Sequence, residues 1–493
     1  MRLSEYWFRF PWLLLLVALI LAGLGIAGIY AATSGGTPVS FWSTLAATQL
    51  VWLGLALGVF VMALLPSYTR LAKASYVLYG VTLLLLLIVA YAKWRGGYVP
   101  GVKYPLYDLR GWIRPSNNAY SWIILPGIGA NLQPSEFMKI AFIMALAYYL
   151  RYRKNYRTFK GLLAPFMMAL VPTALILYQP DLGTAMMFLP VLFLMLFAAG
   201  AKGKHLLAIM AIGLAMVPIF YSSLKGYQRM RIDSWILQGC AERLHFELAE
   251  PPKPETDESA AKPPAPTRAA MTTERKAELV REITGMWRFQ LWRLAESISW
   301  GTDKPEFAEA RRRLFVALDA GPGPKSFEAL CQFFGSMLVD AGHQQFQSEI
   351  AVGAGGFSGQ GWLQGTQTRY GKLPVAYSDF LFPTLAEQFG FLGALGIVIL
   401  YGLLLALGID VSFSTTEPYG KLVVVGVVAL LAAQGFLNMA MCIGLMPITG
   451  IPLPLMSYGG SSLLSTFLAL GLLCNVALRR LFLIAPRPFE WRE

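Results

Sequence analysis

The amino-acid sequence predicts an all-α polytopic membrane protein with about ten transmembrane helices and a helical insert in one large extracytoplasmic loop. Two observations lead to this prediction. First, 56% of the residues are hydrophobic and only 14% are charged, with a mean hydropathy of +0.52, which is too apolar for an ordinary soluble protein. Second, the apolar residues form runs long enough to cross a bilayer, and most charged residues lie between these runs.

Ten runs are candidates for spanning helices, because such a helix needs about 20 apolar residues. The first run follows Arg2 and Arg9 and resembles a signal peptide, but it is longer than the apolar region of one and nine runs follow it. We therefore interpret it as a retained anchor. The runs cover residues 11–32, 43–65, 75–92, 134–150, 161–178, 182–200, 205–223, 381–407, 421–445 and 460–482.

The positive charges predict the orientation. They gather at one set of helix ends, and by the positive-inside rule these ends and both termini are cytoplasmic. The segment 93–114 is an exception with five Lys or Arg on the other side, and its aromatic and proline content indicates an interfacial loop near lipid phosphates. The clustered cations are Arg2, Arg9, Arg70, Lys73, Arg151, Arg153, Lys154, Arg157, Lys160, Lys202, Lys204, Arg479, Arg480 and Arg487.

The net charge of +13 could also indicate a nucleic-acid partner. However, the Lys and Arg residues lie in short loops between apolar runs, so membrane topology explains them better and we predict no nucleic-acid partner. Four Cys without a paired C-x-x-C and three scattered His give no zinc or iron–sulfur spacing. A metal ion in this protein would have to be a hard cation on carboxylates.

The chain divides into three parts by these criteria: residues 1–223 with seven spans, a large outer loop 224–378, and residues 379–493 with three spans and a cytoplasmic C-terminus. The loop contains an insert at about 234–340. The middle of the loop is a Pro-, Ala- and Glu-rich stretch at 248–267 that we interpret as a disordered linker. Helical patterns follow at 279–298, 302–318 and 326–338, and we find no catalytic motif in them. We predict that Cys240 and Cys331 form a disulfide in this oxidising compartment.

Four polar clusters lie at the predicted outer ends of the spans: 133–139, 178–184, Asp379 and 452–462. Asp379 is the strongest functional candidate, because an ionisable group in a membrane helix costs about 2 to 3 kcal/mol at the bilayer centre and is normally kept for a function. Eight residues later, Glu387 lies in the same apolar run. We also predict that Lys139 pairs with Asp181, and that both line a cavity leading to Asp379.

Each cluster also has a purely structural interpretation. Glu136 and Lys139 can form an i, i+3 ion pair, and Asp181 can cap the following helix. Lys139 and Asp181 can extend separately to the interface, and Asp379 can be a helix cap. For the glycines from 353 to 361 we favour a flexible loop, because no G-x-G-x-x-G pattern framed by a strand and a helix is present.

At these clusters the chain resembles the SEDS family of cell-wall polymerases, and its RodA branch more than its FtsW branch. The resemblance extends through nearly all spans and is specific, since the matching strings are long. The Gly-x-Leu-Gln-Gly-Thr-Gln string and the leucine of Gln-Pro-Asp-Leu-Gly favour the RodA branch. The strings lie at 132–139, 179–184, 227–229, 361–368, 378–380, 444–454 and 457–462.

The chain departs from the family pattern at three places. The usual Glu-His before the aspartate is replaced by residues 375–378, Val-Ala-Tyr-Ser. The usual Glu-Glu pair of the eighth span is Glu387 and Gln388 here, and the insert at about 234–340 has no counterpart in typical members. The resemblance therefore implies nothing about the insert.

The resemblance implies an inverting glycosyltransferase that polymerises lipid II at the outer face of the bacterial cytoplasmic membrane, for cell elongation and shape. Asp379 would be the general base. Cationic groups or a divalent cation such as Mg²⁺ or Mn²⁺ would stabilise the leaving pyrophosphate. The implied partners are a class B penicillin-binding transpeptidase, other cell-elongation membrane proteins and membrane lipid. The candidate binding or cavity residues are Glu136, Lys139, Asp181, Arg229, Gln367, Arg369, Lys372, Ser461 and Ser462.

Two other classes of function remain open on the sequence. A transporter or flippase of lipid-linked precursors also uses intramembrane carboxylates and broken helices, but it predicts internal repeats and charges deep in the spans. A scaffold whose insert docks a partner has no need for grouped carboxylates, although it can coexist with catalysis.

Overall fold

The computed structural model describes residues 10–35, 37, 39–95, 121–124, 131–153, 155–179, 181–223, 343–373 and 375–479, with isolated positions between 232 and 330. Arg229, Cys240, Cys331 and nearly all of the predicted insert lie outside the described residues, so the predicted disulfide and the helices of the insert stay predictions.

The described part of the chain is almost entirely helical. One short antiparallel pair of strands, β1 (Ile123–Ile124) and β2 (Asn131–Leu132), precedes the fourth helix. The helices are α1 (Trp12–Ser34), α2 (Leu45–Leu64), α3 (Tyr68–Arg95), α4 (Pro134–Leu150), α5 (Leu163–Tyr178), α6 (Leu182–Ala199), α7 (Gly203–Ser223), α8 (His343–Ala354), α9 (Thr366–Arg369), α10 (Leu381–Phe413), α11 (Pro418–Cys442) and α12 (Gly460–Arg479).

Eight helices in the described part are long and apolar enough to cross a membrane, namely α1, α2, α3, α5 with its preceding turn, α6, α10, α11 and α12. The other two predicted runs are the 17-residue α4 and the shorter apolar stretch Gly203–Val217 of α7. The chain is thus a multi-pass membrane protein, and the total of ten spans stays a prediction. Helix α4 is nearly all buried, so its polar side chains face protein groups.

Small residues allow the helices at the centre of the bundle to approach closely. Helix α12 packs on α2, and α11 packs on α4, α6 and α10. A Cβ on Gly426 of α11 would lie 2.5 Å from Ile143 Cγ2, and one on Gly471 of α12 would lie 2.8 Å from Ala63 Cβ. Such small residues are typical of helix contacts in membranes, where packing replaces the hydrophobic effect between helices.

The chain forms two compact units. The first comprises residues 1–212, 348–442 and 449–493, and the second comprises residues 213–347 and 443–448. Within the second unit, the Trp235 indole donates to Gly444 O at 2.8 Å, and the Gln345 amide donates to Met446 O at 3.2 Å. The contacts around Asp379 and the ends of α4 and α6 lie within the first unit.

Helix α10 is broken at Gly390, where φ is 66° and ψ is −162°. The glycine-rich segment 355–361 fills the gap in its hydrogen bonding. Gln360 N donates to Glu387 O at 3.0 Å, and Phe391 N donates to Gly356 O at 2.8 Å. A Cβ on Gly359 would lie only 2.0 Å from a main-chain oxygen of α10. The expectation of a flexible loop is therefore wrong, because these glycines allow main chain to pack on a broken helix.

Candidate functional site around Asp379

Asp379 lies in a turn at residues 375–380, directly before α10. Its carbonyl oxygen accepts a hydrogen bond from Asn438 Nδ2 at 2.8 Å, and its Oδ1 accepts one from the Ser378 hydroxyl at 2.9 Å. The N-cap residue of α10 is Phe380, which makes no side-chain cap. The alternative that Asp379 caps this helix is therefore wrong.

The segment 449–458 holds this turn in place. Tyr458 N donates to Tyr377 O at 3.0 Å, and the Ser457 hydroxyl donates to Ser378 O. The two tyrosine rings pack edge to face with centroids 5.8 Å apart. The main chain directly before the aspartate is thereby fixed, which is the arrangement that a catalytic group requires for defined geometry.

Gly450 lies against the carboxylate of Asp379. A Cβ at this position would be 3.6 Å from Asp379 Oδ2, and the residue has a φ of +71°. The Asn438 amide that binds Asp379 also donates to Ile451 O at 2.7 Å. One buried amide in α11 thus joins the aspartate turn to the segment 449–458, and a side chain at position 450 would pack against the carboxylate.

Two non-glycine residues in the segments around Asp379 adopt the left-handed backbone conformation. Val375 has a φ of +53° and Leu455 has a φ of +66°. This conformation is costly for the β-branched Val375 and for the bulky Leu455, and such strain is typical of functional sites where the surroundings enforce it. The main chain here is therefore held by its contacts and not by local preference.

Glu136 and Lys139 form a buried ion pair at the start of α4. Lys139 Nζ lies 2.8 Å from Glu136 Oε1, and the Ser465 hydroxyl of α12 donates to Glu136 Oε2 at 2.9 Å. Both charged side chains are only 3% to 4% exposed. The prediction that Lys139 pairs with Asp181 is wrong, because the carboxylate one helical turn away lies within direct reach.

Asp181 is the N-cap of α6, and its Oδ1 accepts a hydrogen bond from Thr184 N at 3.0 Å. Its Oδ2 accepts one from Gln133 Nε2 at 2.9 Å. Burial raises the pKa of Asp181, the Thr184 hydrogen bonds lower it, and the charges of Glu136 and Lys139 act in opposite directions. The capping alternative is thus confirmed. Asp181 interacts with the Glu136–Lys139 ion pair only by longer-range electrostatics.

Ser461 connects the start of α12 to the strand and turn before α4. Its hydroxyl donates to Asn131 O at 2.8 Å and accepts from Gln133 N at 3.1 Å. Ser462 contributes its carbonyl oxygen, which accepts from the hydroxyls of Ser465 and Thr466 at 3.0 and 2.7 Å. These contacts lock the local backbone beside the buried ion pair.

All four polar clusters meet at one end of the bundle. Gln133 contacts both Asp181 and Ser461, while Tyr377 contacts Tyr458. A Cβ on Gly183 would lie 2.5 Å from Thr449 O, so the start of α6 packs against the segment that also borders Asp379. The grouping predicted from topology is therefore present in the structure.

Glu387 organises the loop that carries three of the predicted binding residues. Its fully buried carboxylate accepts four hydrogen bonds, from Thr366 Oγ1 at 3.2 Å, Gln367 N at 2.6 Å, Thr368 N at 3.2 Å and Thr368 Oγ1 at 2.7 Å. A Cβ on Gly365 would lie 2.5 Å from Glu387 Oε2, so a larger residue there would disturb the arrangement.

Two backbone amides in the first turn of the short helix α9 therefore donate to the carboxylate of Glu387. Gln367 is buried, and its Oε1 has no hydrogen-bond partner within the described residues. Arg369 and Lys372 follow and are exposed, with Lys372 Nζ 5.9 Å from the centre of the Tyr370 ring. Two cations thus extend into solvent from a loop with a fixed base.

No group of three or more His, Cys, Asp or Glu side chains that could hold a metal ion occurs within the described residues. Arg229 lies outside them. Of the predicted binding cations at the loop before Asp379, the structure describes Arg369 and Lys372.

Ser465 and Asn438 were not predicted from the sequence, and Glu387 was predicted to lie in a span but was given no role. Asn438 and Ser465 are isolated polar residues in apolar helices, and both are buried. A buried polar residue in a span is a signal of an interhelical contact, so this signal was present. The hydrogen bonds between Glu387 and residues 366–368 were not predictable, because these residues lie about 20 positions upstream in a loop.

The buried ion pair gives a test of the corrected assignment. Lys139→Met leaves Glu136 buried and unpaired, so we expect a loss of about 3 to 5 kcal/mol in the free energy of unfolding. The double variant Glu136→Leu/Lys139→Met should recover most of this loss. Thermal unfolding of the purified protein in detergent measures both. A double variant less stable than Lys139→Met would contradict the assignment.

Comparisons with known proteins identify the family of this chain. A family model described as cell cycle protein, FtsW/RodA/SpoVE, matches residues 11–239 and 326–480. The peptidoglycan glycosyltransferase RodA of Treponema pallidum is 30% identical over 487 residues, covering 96% of this chain and 98% of that protein. The probable peptidoglycan glycosyltransferase FtsW of Geobacter metallireducens is 27% identical over 476 residues, covering 96% and 95%.

The fold also matches a solved structure. A chain in the structure of a peptidoglycan synthase complex that coordinates polymerization and crosslinking is 24% identical, covers 95% of this chain and is itself covered to 97%, with a TM-score of 0.58. At this identity the likeness concerns the fold alone. On the family match and the relative at 30% identity, the chain belongs to the FtsW/RodA/SpoVE family, which is the SEDS family of the sequence analysis.

Proposed function

We propose that this chain, a peptidoglycan glycosyltransferase by family, polymerises lipid II into glycan strands and serves cell elongation and shape. The observation that supports this most is the carboxylate of Asp379 in a turn fixed by Asn438 and Ser457, at the bundle end where all four polar clusters meet. A base must be held in such a way to take a proton from a bound substrate.

In the proposed reaction, the 4-hydroxyl of the acceptor sugar attacks the anomeric carbon of the lipid-linked donor. Asp379 accepts the hydroxyl proton as the new C–O bond forms, and the bond from the anomeric carbon to the pyrophosphate breaks with inversion. The donor is already activated, so the reaction needs no nucleotide.

The leaving lipid pyrophosphate gains negative charge as its bond breaks. Arg369 and Lys372 are exposed and lie just beyond α9, and we propose that they stabilise this charge. Arg229 is proposed for the same role, and a divalent cation is the alternative. Gln367, Glu136, Lys139, Asp181, Ser461 and Ser462 shape the surrounding site in this proposal.

The proposed site faces outward from the bacterial cytoplasmic membrane, and both termini are cytoplasmic. The distribution of Lys and Arg supports this orientation. A class B penicillin-binding transpeptidase is the proposed partner, together with other cell-elongation membrane proteins. Its support is the likeness to a chain from a peptidoglycan synthase complex.

The break of α10 at Gly390 is the observation that favours a second candidate, a flippase of lipid-linked precursors, since broken helices are common in transporters. A single experiment separates the two. The purified chain, with and without its transpeptidase, is incubated with lipid II and the products are separated on a gel. Polymer supports the proposal, whereas transfer of lipid II between vesicle leaflets without polymer supports the flippase.

The insert offers a further prediction, because the family match leaves residues 240–325 uncovered. Replacing residues 245–335 with a short linker should leave the spans folded, since loop closure costs change slowly with length. We expect the purified variant to keep polymerising lipid II, with a loss limited to partner-dependent stimulation. Complete loss of polymerisation in a folded variant would place the insert in the catalytic path.

A further inference from the structure

The bundle carries a second polar surface at the end opposite to Asp379. Helices α4 and α6 both begin at the candidate site, where Gln133 and Asp181 are hydrogen-bonded. They end at Leu150 and Ala199, which is about 25 Å away at 1.5 Å per helical residue. The residues that follow them meet at this far end, namely 151–153 with 155–162 after α4 and 200–205 after α6.

These two segments form one folded surface. The Tyr156 hydroxyl donates to Ala199 O at 2.7 Å, and the Phe159 ring packs edge to face on the His205 ring with centroids 6.2 Å apart. The Arg157 guanidinium lies 3.7 Å from the position that a Cβ on Gly200 would take. Two turns of 3₁₀ helix, at 155–157 and 160–162, shape the first segment.

The basic surface consists of five exposed cations, namely Arg153, Arg157, Lys160, Lys202 and Lys204. The sequence has no Asp or Glu in residues 151–162 or in residues 200–205. Glu417 lies at the same end of the bundle, but its carboxylate accepts a hydrogen bond from Gly420 N at 2.6 Å. The positive charge of the surface is therefore not balanced by acidic residues of its own segments.

Exposed aromatic side chains accompany these cations. Tyr152 is 73% exposed and Phe159 is 55% exposed. The Arg153 guanidinium carbon lies 4.4 Å from the centre of the Tyr149 ring, which orients this cation. Aromatic rings beside cations at the end of a transmembrane bundle are typical of the membrane interface, where headgroup phosphates lie.

We propose that the basic surface is a binding site for the phosphate headgroups of anionic phospholipids in the leaflet at this end of the bundle. Membrane topology alone requires only that positive charge lies in a loop. Here the segment after α4 is folded against the segment after α6, and the cations of both form one surface. Basic pockets between membrane helices bind anionic headgroups on the cytoplasmic side of other proteins, and the proposed orientation places this end of the bundle on that side. Phosphatidylglycerol is the ligand class that the charge and location fit.

Native mass spectrometry of the full chain in detergent tests this proposal. The protein is titrated with phosphatidylglycerol and with phosphatidylcholine of the same acyl chains. We expect the anionic lipid to bind at least about 10-fold more tightly than the zwitterionic one. Arg157→Gln/Lys160→Gln should weaken its binding by about 25-fold, since each of the two cations near a headgroup contributes a factor of roughly 5. Higher salt should reduce this preference.

The matched control is Arg70→Gln/Lys73→Gln, which removes two exposed cations from a different segment at the same end. This variant should bind phosphatidylglycerol within about 2-fold of the wild type. An equal loss in both double variants would show that only net charge matters and would overturn the proposal. Equal affinity for the two lipids would overturn it as well, as would displacement of the lipid by a polyglutamate peptide at similar concentration, which would indicate an acidic protein segment.

Discussion

Replacing Glu387 with alanine is expected to lower the free energy of unfolding by about 3 kcal/mol or more and to reduce polymerisation at least 10-fold. The carboxylate accepts four hydrogen bonds from residues 366–368. Each buried donor left without an acceptor costs about 1 to 3 kcal/mol. The loop bearing Arg369 and Lys372 would lose its fixed base, so activity should fall even in molecules that remain folded.

Two milder variants serve as controls. Thr366→Val removes only the 3.2 Å hydroxyl contact at an exposed residue and should change stability by less than about 1 kcal/mol. Glu387→Gln keeps one acceptor oxygen and turns an amide group toward the Thr368 donors. Its stability and its rate of polymerisation should therefore lie between those of Glu387→Ala and Thr366→Val. Thermal unfolding and the lipid II assay, measured on the same preparations, give the order. An alanine variant with unchanged stability and rate would refute the role of Glu387.

Much of the fold was predictable because its elements are set by local composition. The apolar runs at 11–32 and 182–200 correspond to α1 and α6 to within about two residues, since a spanning helix satisfies its own backbone hydrogen bonds. The proximity of the polar clusters was also predictable. Consecutive spanning helices run in opposite directions, so every second connection between them lies at the same end of the bundle.

The partners within those clusters were harder to predict. Lys139 has two carboxylates nearby, and sequence spacing gives no distance between helices that are far apart in the chain. The structure resolves this in favour of Glu136 because the shared helical turn brings the two side chains together. The break of α10 was missed because Gly390 is one glycine in an apolar run, and its meaning depends on the segment 355–361 that packs against it.

Replacing Asp379 with asparagine is expected to abolish measurable polymerisation with little effect on folding. The amide keeps the shape of the side chain and can still accept from the Ser378 hydroxyl at Oδ1, while the contacts of the main chain with Asn438 and Tyr458 are unchanged. An amide cannot accept the proton of the acceptor hydroxyl. Loss of a general base costs a factor of about 100 to 10,000 in rate.

The neighbouring Ser378→Ala variant is the matched control for this change. It removes the 2.9 Å hydrogen bond to Asp379 Oδ1 and leaves the carboxylate in place, so it should reduce the rate by less than about 10-fold. A second substitution, Gly450→Ala, adds a methyl group about 3.6 Å from Asp379 Oδ2 at a φ of +71°. It should lower the rate without removing the base.

The most direct test of Asp379 as the general base is the initial rate of glycan formation from labelled lipid II by the purified chain and its Asp379→Asn variant. Both are assayed with the transpeptidase partner at equal amounts of folded protein. We expect polymer from the wild type and a rate at least about 100-fold lower from the variant, with an unchanged unfolding temperature. Polymerisation by the variant at the wild-type rate would contradict Asp379 as the base of this reaction.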